Sequence, residues 1–302
     1  AVAVLGPAFI AFKKDGYTPQ EAANLTWYLG MATMIIIGVF KTITSLCGHW
    51  IQKLVPRAGL LGSLAGIGLL LIGFMPLVNI FGLPLVGIIS LGLVLYTLVA
   101  RIHLPGKIPG VLAAIVIGTV LFHILGPAGL TAGTYEAPSL KLYLAPPIPT
   151  LDFIKGLLPA LKYLSIAIPF ALLTVIGGIN VTESARVGGD DYSTRSILLT
   201  EAASTLVAGI FGGVAQSTPY IGQPAYKRMG ARAGYTILTG LFLGLGGFLG
   251  YISFFIKLIP AAILAPILIF VAMDIVSQAF FACPERHSPA VMFAMMPTIG
   301  RL

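Results

Sequence analysis

Two short stretches carry the polar groups through which this sequence could do chemistry. The first is a run inside residues 214–233, Ser217-Thr218-Pro219-Tyr220-Ile221-Gly222-Gln223-Pro224. The hydroxyls of Ser217, Thr218 and Tyr220 and the amide of Gln223 can each donate and accept hydrogen bonds. Gly222 has no Cβ to keep a ligand from the backbone, and a half-helix starting near Gln223 would aim its free amide N–H groups at the break. Such a site suits a flat, polar solute, uncharged or mildly anionic. The plainer reading is a proline-kinked helix packed between neighbours. The second stretch is Ile179-Asn180-Val181-Thr182-Glu183-Ser184, where Asn180 and Glu183, three residues apart, share one helix face. An acid at the end of an otherwise uncharged apolar run reads as a functional residue. The alternative is a carboxylate at the cytoplasmic boundary, partnered by Arg186. Glu201 reads as structural, Lys41 as a snorkelling side chain whose ammonium reaches the interface, and Asp274 as a partner for a neighbouring helix.

The elements that must hold these groups are set by composition. Hydrophobic residues make up 57% of the 302, charged residues only 9%, and mean hydropathy is +0.98. A soluble domain carries roughly 25% charged residues, so this chain could not cover a water-facing surface and is read as a polytopic membrane protein. The net charge of +8 comes from basic residues scattered singly between apolar runs, which excludes a nucleic-acid face. Cys47 and Cys283 are too few for a disulfide framework or a zinc site, and His49, His103, His123 and His287 lack ligand spacing. No nucleophile elbow, phosphate loop or zincin motif is present, so no enzyme is expected.

Apolar runs predict spans at 26–46, 58–79, 83–101, 108–125, 163–183, 196–213, 234–256 and 259–281, with a stub at 1–12 and a final run from Val291 to Ile299. Residues 126–160 read as a long loop with an interfacial helix near 151–158, and 214–233 as a broken crossing element. Glycines 240, 244, 246, 247 and 250 have the small-xxx-small spacing that permits close helix contact. If sides alternate, ten Lys and Arg fall on the cytoplasmic side and six outside, Lys41 and Arg301 apart. Two motifs recur in order. Lys53-Leu54-Val55-Pro56 is echoed by Lys257-Leu258-Ile259-Pro260, and Ala11-Phe12-Lys13-Lys14-Asp15-Gly16 by Ala225-Tyr226-Lys227-Arg228-Met229-Gly230. The alternating sides make the copies inverted, the architecture of secondary transporters.

The run Leu198-Leu199-Thr200-Glu201-Ala202-Ala203-Ser204-Thr205-Leu206-Val207-Ala208-Gly209-Ile210-Phe211-Gly212-Gly213 and the break after it resemble the xanthine/uracil permeases, or nucleobase–ascorbate transporters. The end of the break, Gly230-Ala231-Arg232-Ala233-Gly234-Tyr235-Thr236, is similar to their adenine/guanine/hypoxanthine branch. The resemblance implies fourteen spans in two inverted repeats of seven, divided into core and gate domains. Substrate would lie between short antiparallel strands of the third and tenth spans, contacted by acidic or amide groups of the eighth and tenth. The eighth span would be 163–183 and the tenth 214–233. The opening on Ala1 inside an apolar run then reads as a start within the third span, with about two further spans missing at the end.

On this resemblance residues 1–50 form the first part of the core domain and 51–125 of the gate. Residues 126–160 form the loop, 161–256 the second part of the core and 257–302 of the gate. The function implied is a permease of the cell membrane, moving a nucleobase-like solute with H⁺ or Na⁺ and no other cofactor. Its partners would be the bilayer and the solute, and a homodimer is compatible with it. The substrate-binding set is Asn180, Glu183, Ser217, Thr218, Tyr220, Gly222 and Gln223, expected to converge on one cavity, with protonation of Glu183 as a route to coupling. Two alternatives stand beside it. One is an anion transporter of the sulfate-permease type, which shares the fold and needs no carboxylate at its site. The other is a non-transporting membrane scaffold.

Overall fold

The computed structural model describes residues 2–46, 56–131, 135–215, 219 and 221–300. In chain order its helices are α1 (Val2–Lys14), α2 (Pro19–Ser45), α3 (Arg57–Ile67), α4 (Met75–Gly82), α5 (Pro84–Val94), α6 (Gly110–Leu125), α7 (Phe153–Leu161), α8 (Leu164–Val187), α9 (Thr194–Ile210), α10 (Gln223–Arg228), α11 (Gly234–Leu249), α12 (Ile252–Leu258), α13 (Ala261–Phe281) and α14 (Ser288–Ile299). A π-helical stretch, Gly68–Phe74, joins α3 to α4, and another, Leu95–Val99, extends α5. Every predicted span has its helix. By length and apolarity Pro19–Ser45, Ala58–Gly82, Leu164–Val187 and Ala261–Phe281 can cross a membrane, and Pro84–Val99 and Gly110–Leu125 are shorter apolar helices. Large apolar side chains such as Ile43, Leu158, Phe281 and Phe293 stand exposed, a surface suited to lipid. Among the described residues no strand forms, so the short strands implied by the family resemblance are absent there.

The chain divides into two compact units. The first, residues 1–56 and 146–221, contains α1, α2, α7, α8 and α9. Helix α2 starts with a capping box, in which Thr18 Oγ1 accepts from the Glu21 amide and Glu21 accepts from the Thr18 amide. It then packs on α7, α8 and α9. Contact with α7 is tight enough that a Cβ on Gly156 would sit 2.0 Å from the Tyr28 carbonyl oxygen. Only glycine fits there, and lipid-embedded helices associate through such close contacts.

The second unit, residues 57–145 and 222–302, is organised around α13, which touches α3, α4, α5, α6, α10 and α14. The predicted span 234–256 is not straight. Helices α11 and α12 meet at 110°, and Gly250 at the corner has φ +78°, a left-handed conformation that favours glycine. The loop clamps this corner: the Tyr143 amide donates to Leu249 O and the Ala145 amide to Phe248 O, at 3.1 and 2.9 Å. The glycines of this span divide: a Cβ on Gly246 would press on Ile252 and Tyr251, and one on Gly250 on the Tyr143 ring. A Cβ on Gly240, Gly244 or Gly247 would meet open space among the described residues.

The internal repeat appears as local structure. After α1, the amides of Asp15, Gly16 and Tyr17 donate to the carbonyls of Ala11, Lys13 and Phe12. After α10, the amides of Met229, Gly230 and Ala231 donate to those of Ala225, Lys227 and Tyr226, the same pattern displaced by 214 positions. Gly16 and Gly230 have φ +92° and +93°. The second motif behaves alike: α3 begins directly after Pro56 and α13 directly after Pro260, while Lys53, Leu54 and Val55 lie outside the described residues. Proline, with φ preset and no N–H to lose, starts a helix at both places.

Gly156→Leu should destabilise the first unit by about 1–3 kcal/mol, because the side chain must displace α2 or α7. Thermal unfolding of the purified full-length protein in detergent measures it. Gly240→Ala is the control, expected to leave the midpoint unchanged or slightly raised.

Candidate functional site

In lipid an interrupted helix must satisfy its free backbone groups within the protein. At the end of α9 this happens in four steps. The Phe211 amide donates to Val207 O and the Gly213 amide to Ala208 O. From the loop, the Thr150 amide donates to Ile210 O at 2.9 Å. The Trp27 indole N–H, on α2, donates to Gly212 O at 2.8 Å. Gly212 has φ +88°, and a Cβ there would press on the Trp27 ring. The chain then leaves α9 without helix through Gly213–Ala215, and helix resumes at Gln223. The expected break with a half-helix from Gln223 is therefore present, its causes being Pro219, Pro224 and the glycines on either side. Residues Ser217, Thr218 and Tyr220 lie outside the described residues.

Val214 and Ala215, entering the break, line a cavity of about 110 Å³ in the first unit with Gly30, Thr33, Met34 and Thr174. The Thr33 and Thr174 hydroxyls donate to their own helices, at Leu29 O and Ala171 O, and keep acceptor capacity.

The other candidate element is the last third of α8. Residues 178–185 are all buried, so this part of the helix is covered on every side, whereas 164–177 present many exposed residues. Asn180 is 3% exposed and Glu183 1%. Arg186 Nη1 lies 3.1 Å from Glu183 Oε2, and Arg186 Nε donates to Asp191 Oδ1 at 3.0 Å. Glu183 thus has the partner that the plainer sequence reading gave it, but not the solvent. It is a buried carboxylate whose charge Arg186 balances. Of the expected converging set, Asn180 and Glu183 lie in the first unit, Gly222 and Gln223 open the second, and Gly222 is buried.

The sequence reading missed one interaction in this unit. Lys41 does not snorkel: it is fully buried, and its Nζ sits 2.5 Å from Glu201 Oε1. Glu201 Oε2 in turn lies 2.8 Å from where a Cβ of Gly178 would be, so α2, α9 and α8 meet around one ion pair. Opposite charges in two otherwise apolar spans were the available signal, since a lone buried charge in lipid is too costly to persist. Asp274, as expected, takes a neighbouring helix as partner, pairing with Arg228 of α10. Among the described residues no cluster of His, Cys, Asp and Glu could hold a metal ion.

No family model matches the chain. It is 25% identical over 307 aligned positions to the bicarbonate transporter BicA of Picosynechococcus sp., covering 92% of this chain and 52% of that protein, so it spans about half the length of the curated relative it matches. A solved structure, the transmembrane domain of a cyanobacterium bicarbonate transporter BicA, superposes with a TM-score of 0.59 at 18% identity, covering 98% of this chain and 78% of that one. The fold is that of an inverted-repeat transporter transmembrane domain. The chain is a multi-pass membrane protein.

These findings correct the family resemblance. The relative and the structural neighbour are bicarbonate transporters, so the xanthine/uracil permease assignment, and with it the nucleobase as substrate, is withdrawn. Of the residues that suggested it, Leu198–Ile210 form most of α9 and Phe211–Gly213 its end. That role belongs to the fold and carries no information about a solute.

Lys41→Met should cost about 3–5 kcal/mol, since it leaves Glu201 buried and uncompensated. The double variant Lys41→Met/Glu201→Leu should recover most of that loss. Unfolding of the two purified variants tests this; equal destabilisation in both would mean that the charges are not coupled.

Proposed function

We propose that the chain is the membrane domain of a secondary transporter for a small inorganic oxyanion of the bicarbonate class. The observation that carries this reading is agreement of two independent comparisons, one of sequence and one of backbone, with bicarbonate transporters along nearly the whole chain. Two features of the molecule support it. The first is charge. A bare carboxylate beside the break would repel an anion, but Glu183 is balanced by Arg186 and Glu201 by Lys41. The second is size. The cavity at the entrance to the break, about 110 Å³, is smaller than the roughly 150 Å³ that accommodates benzene. A planar oxyanion of four heavy atoms suits that space better than a two-ring base.

Alternating access would follow from the break. In inverted-repeat transporters an interrupted span of this kind is where the solute is held. Asn180, buried on α8, is the side chain we assign to solute orientation, through an amide that can both donate and accept.

The test is uptake by the full-length protein in proteoliposomes, with radiolabelled bicarbonate, sulfate, uracil and xanthine offered separately. Bicarbonate or sulfate should accumulate and the bases should not. Accumulation of a base with neither anion would overturn the reading. Arg186→Gln should lower anion uptake about tenfold by uncovering the Glu183 charge, and Arg186→Gln/Glu183→Gln should restore most of it. Equal loss in the single and double variants would mean that Arg186 acts in some other way.

A further inference from the structure

A second pocket, of about 550 Å³, lies wholly within the second unit, lined among others by Arg101, His103, Arg228, Phe270, Asp274 and Ser277. Its charges do not cancel. Asp274, buried, takes Arg228 as ion partner and accepts from Gln278 Nε2 at 2.7 Å. Arg101 has no carboxylate partner among the described residues, yet lies close enough to Arg228 for the two cations to repel. Two guanidiniums stand against one carboxylate, an excess of one positive charge among these three groups.

The backbone holds Arg101 there at a cost. The π-helical turn Leu95–Val99 ends with the Ala100 amide donating to Leu95 O and the Ile102 amide to Tyr96 O. Between them Arg101 has φ +56°, the one non-glycine residue with positive φ among the described residues. A helix terminator in this conformation is ordinarily glycine. Arginine at a strained terminator, beside another arginine, is unfavourable on both counts, and an anion between the two guanidiniums would offset their repulsion. The internal repeat sharpens the point. Lys14, the counterpart of Arg228 at the end of α1, is exposed and has no ion pair among the described residues. The basic pocket therefore does not follow from the repeated fold.

We propose that this pocket binds a phosphate-class anion, free phosphate or the headgroup of an anionic lipid, between Arg101 and Arg228. Planar guanidiniums match phosphate oxygens in pairs, and the hydroxyls of Thr97 and Ser277 already donate to Leu93 O and Met273 O, so the arginines and His103 are the donors that remain. Arg228 ends α10, whose first residue is Gln223, so the bound anion would steady the half-helix that follows the break. The inference stands whether or not the transported solute is an oxyanion.

The experiment uses delipidated full-length protein in neutral detergent, titrated with inorganic phosphate and, separately, with short-chain phosphatidylglycerol, read by thermal stabilisation. Arg101→Gly is the decisive variant, because glycine suits φ +56° and should leave the unliganded midpoint unchanged or higher. Affinity for the anion that binds should fall roughly tenfold in this variant, the loss of one charge-assisted contact. Arg228→Gln/Asp274→Asn, which removes the ion pair as a unit, should weaken the same ligand. Stabilisation by phosphate assigns the site to a soluble anion, and stabilisation by the lipid alone assigns it to a headgroup. If neither stabilises the protein, or if Arg101→Gly binds as tightly as the parent, the proposal is wrong.

Discussion

A backbone in lipid has nowhere to place a polar group except inside the protein, and the helix ends of this chain that interrupt its described spans are arranged around that constraint. The end of α9 is closed by bonds from its own last turn, from a loop amide and from the Trp27 indole. The ends of α1 and α10 are closed by one pattern used twice. The corner between α11 and α12 borrows two amides from the loop at Tyr143 and Ala145. These closures permit an interrupted element in a chain with an apolar, lipid-suited surface.

Charge obeys the same constraint. Lys41, Glu183, Glu201 and Asp274 are buried, and each has an opposite charge beside it. Such pairs are weak evidence of stability, since apolar packing would serve as well, but they are exacting about geometry. The Lys41–Glu201 pair fixes where α2 passes α9 and, through Gly178, where α8 passes both. The helix carrying Asn180 and Glu183 is thereby registered against the helix that enters the break.

Much of this was legible from residue type. Pro219, Pro224 and Gly222 announced the interruption, and the two repeated motifs announced equivalent local structure, because proline and glycine act through the local backbone. What failed depended on distance or on chemistry that the fold does not encode. Lys41 was read as snorkelling because its partner lies 160 residues away. Of the glycines in α11, only Gly246 makes the close contact their spacing promised, and Gly240, Gly244 and Gly247 meet no described residue. The glycines in 234–256 did not reveal a 110° corner, because the Tyr143 strap that accompanies it comes from elsewhere in the chain. The substrate was misjudged because the residues around the break encode its shape, which transporters of different solutes hold in common.

The indole of Trp27 has an optical consequence. The chain contains two tryptophans, and this one donates its N–H to the carbonyl that closes α9 at the mouth of the break. Indole emission responds to loss of such a bond and to water at the ring, so the protein carries its own fluorophore beside the interrupted stretch. With Trp50 replaced by phenylalanine, the colour of that emission becomes a label-free record of whether the break is closed.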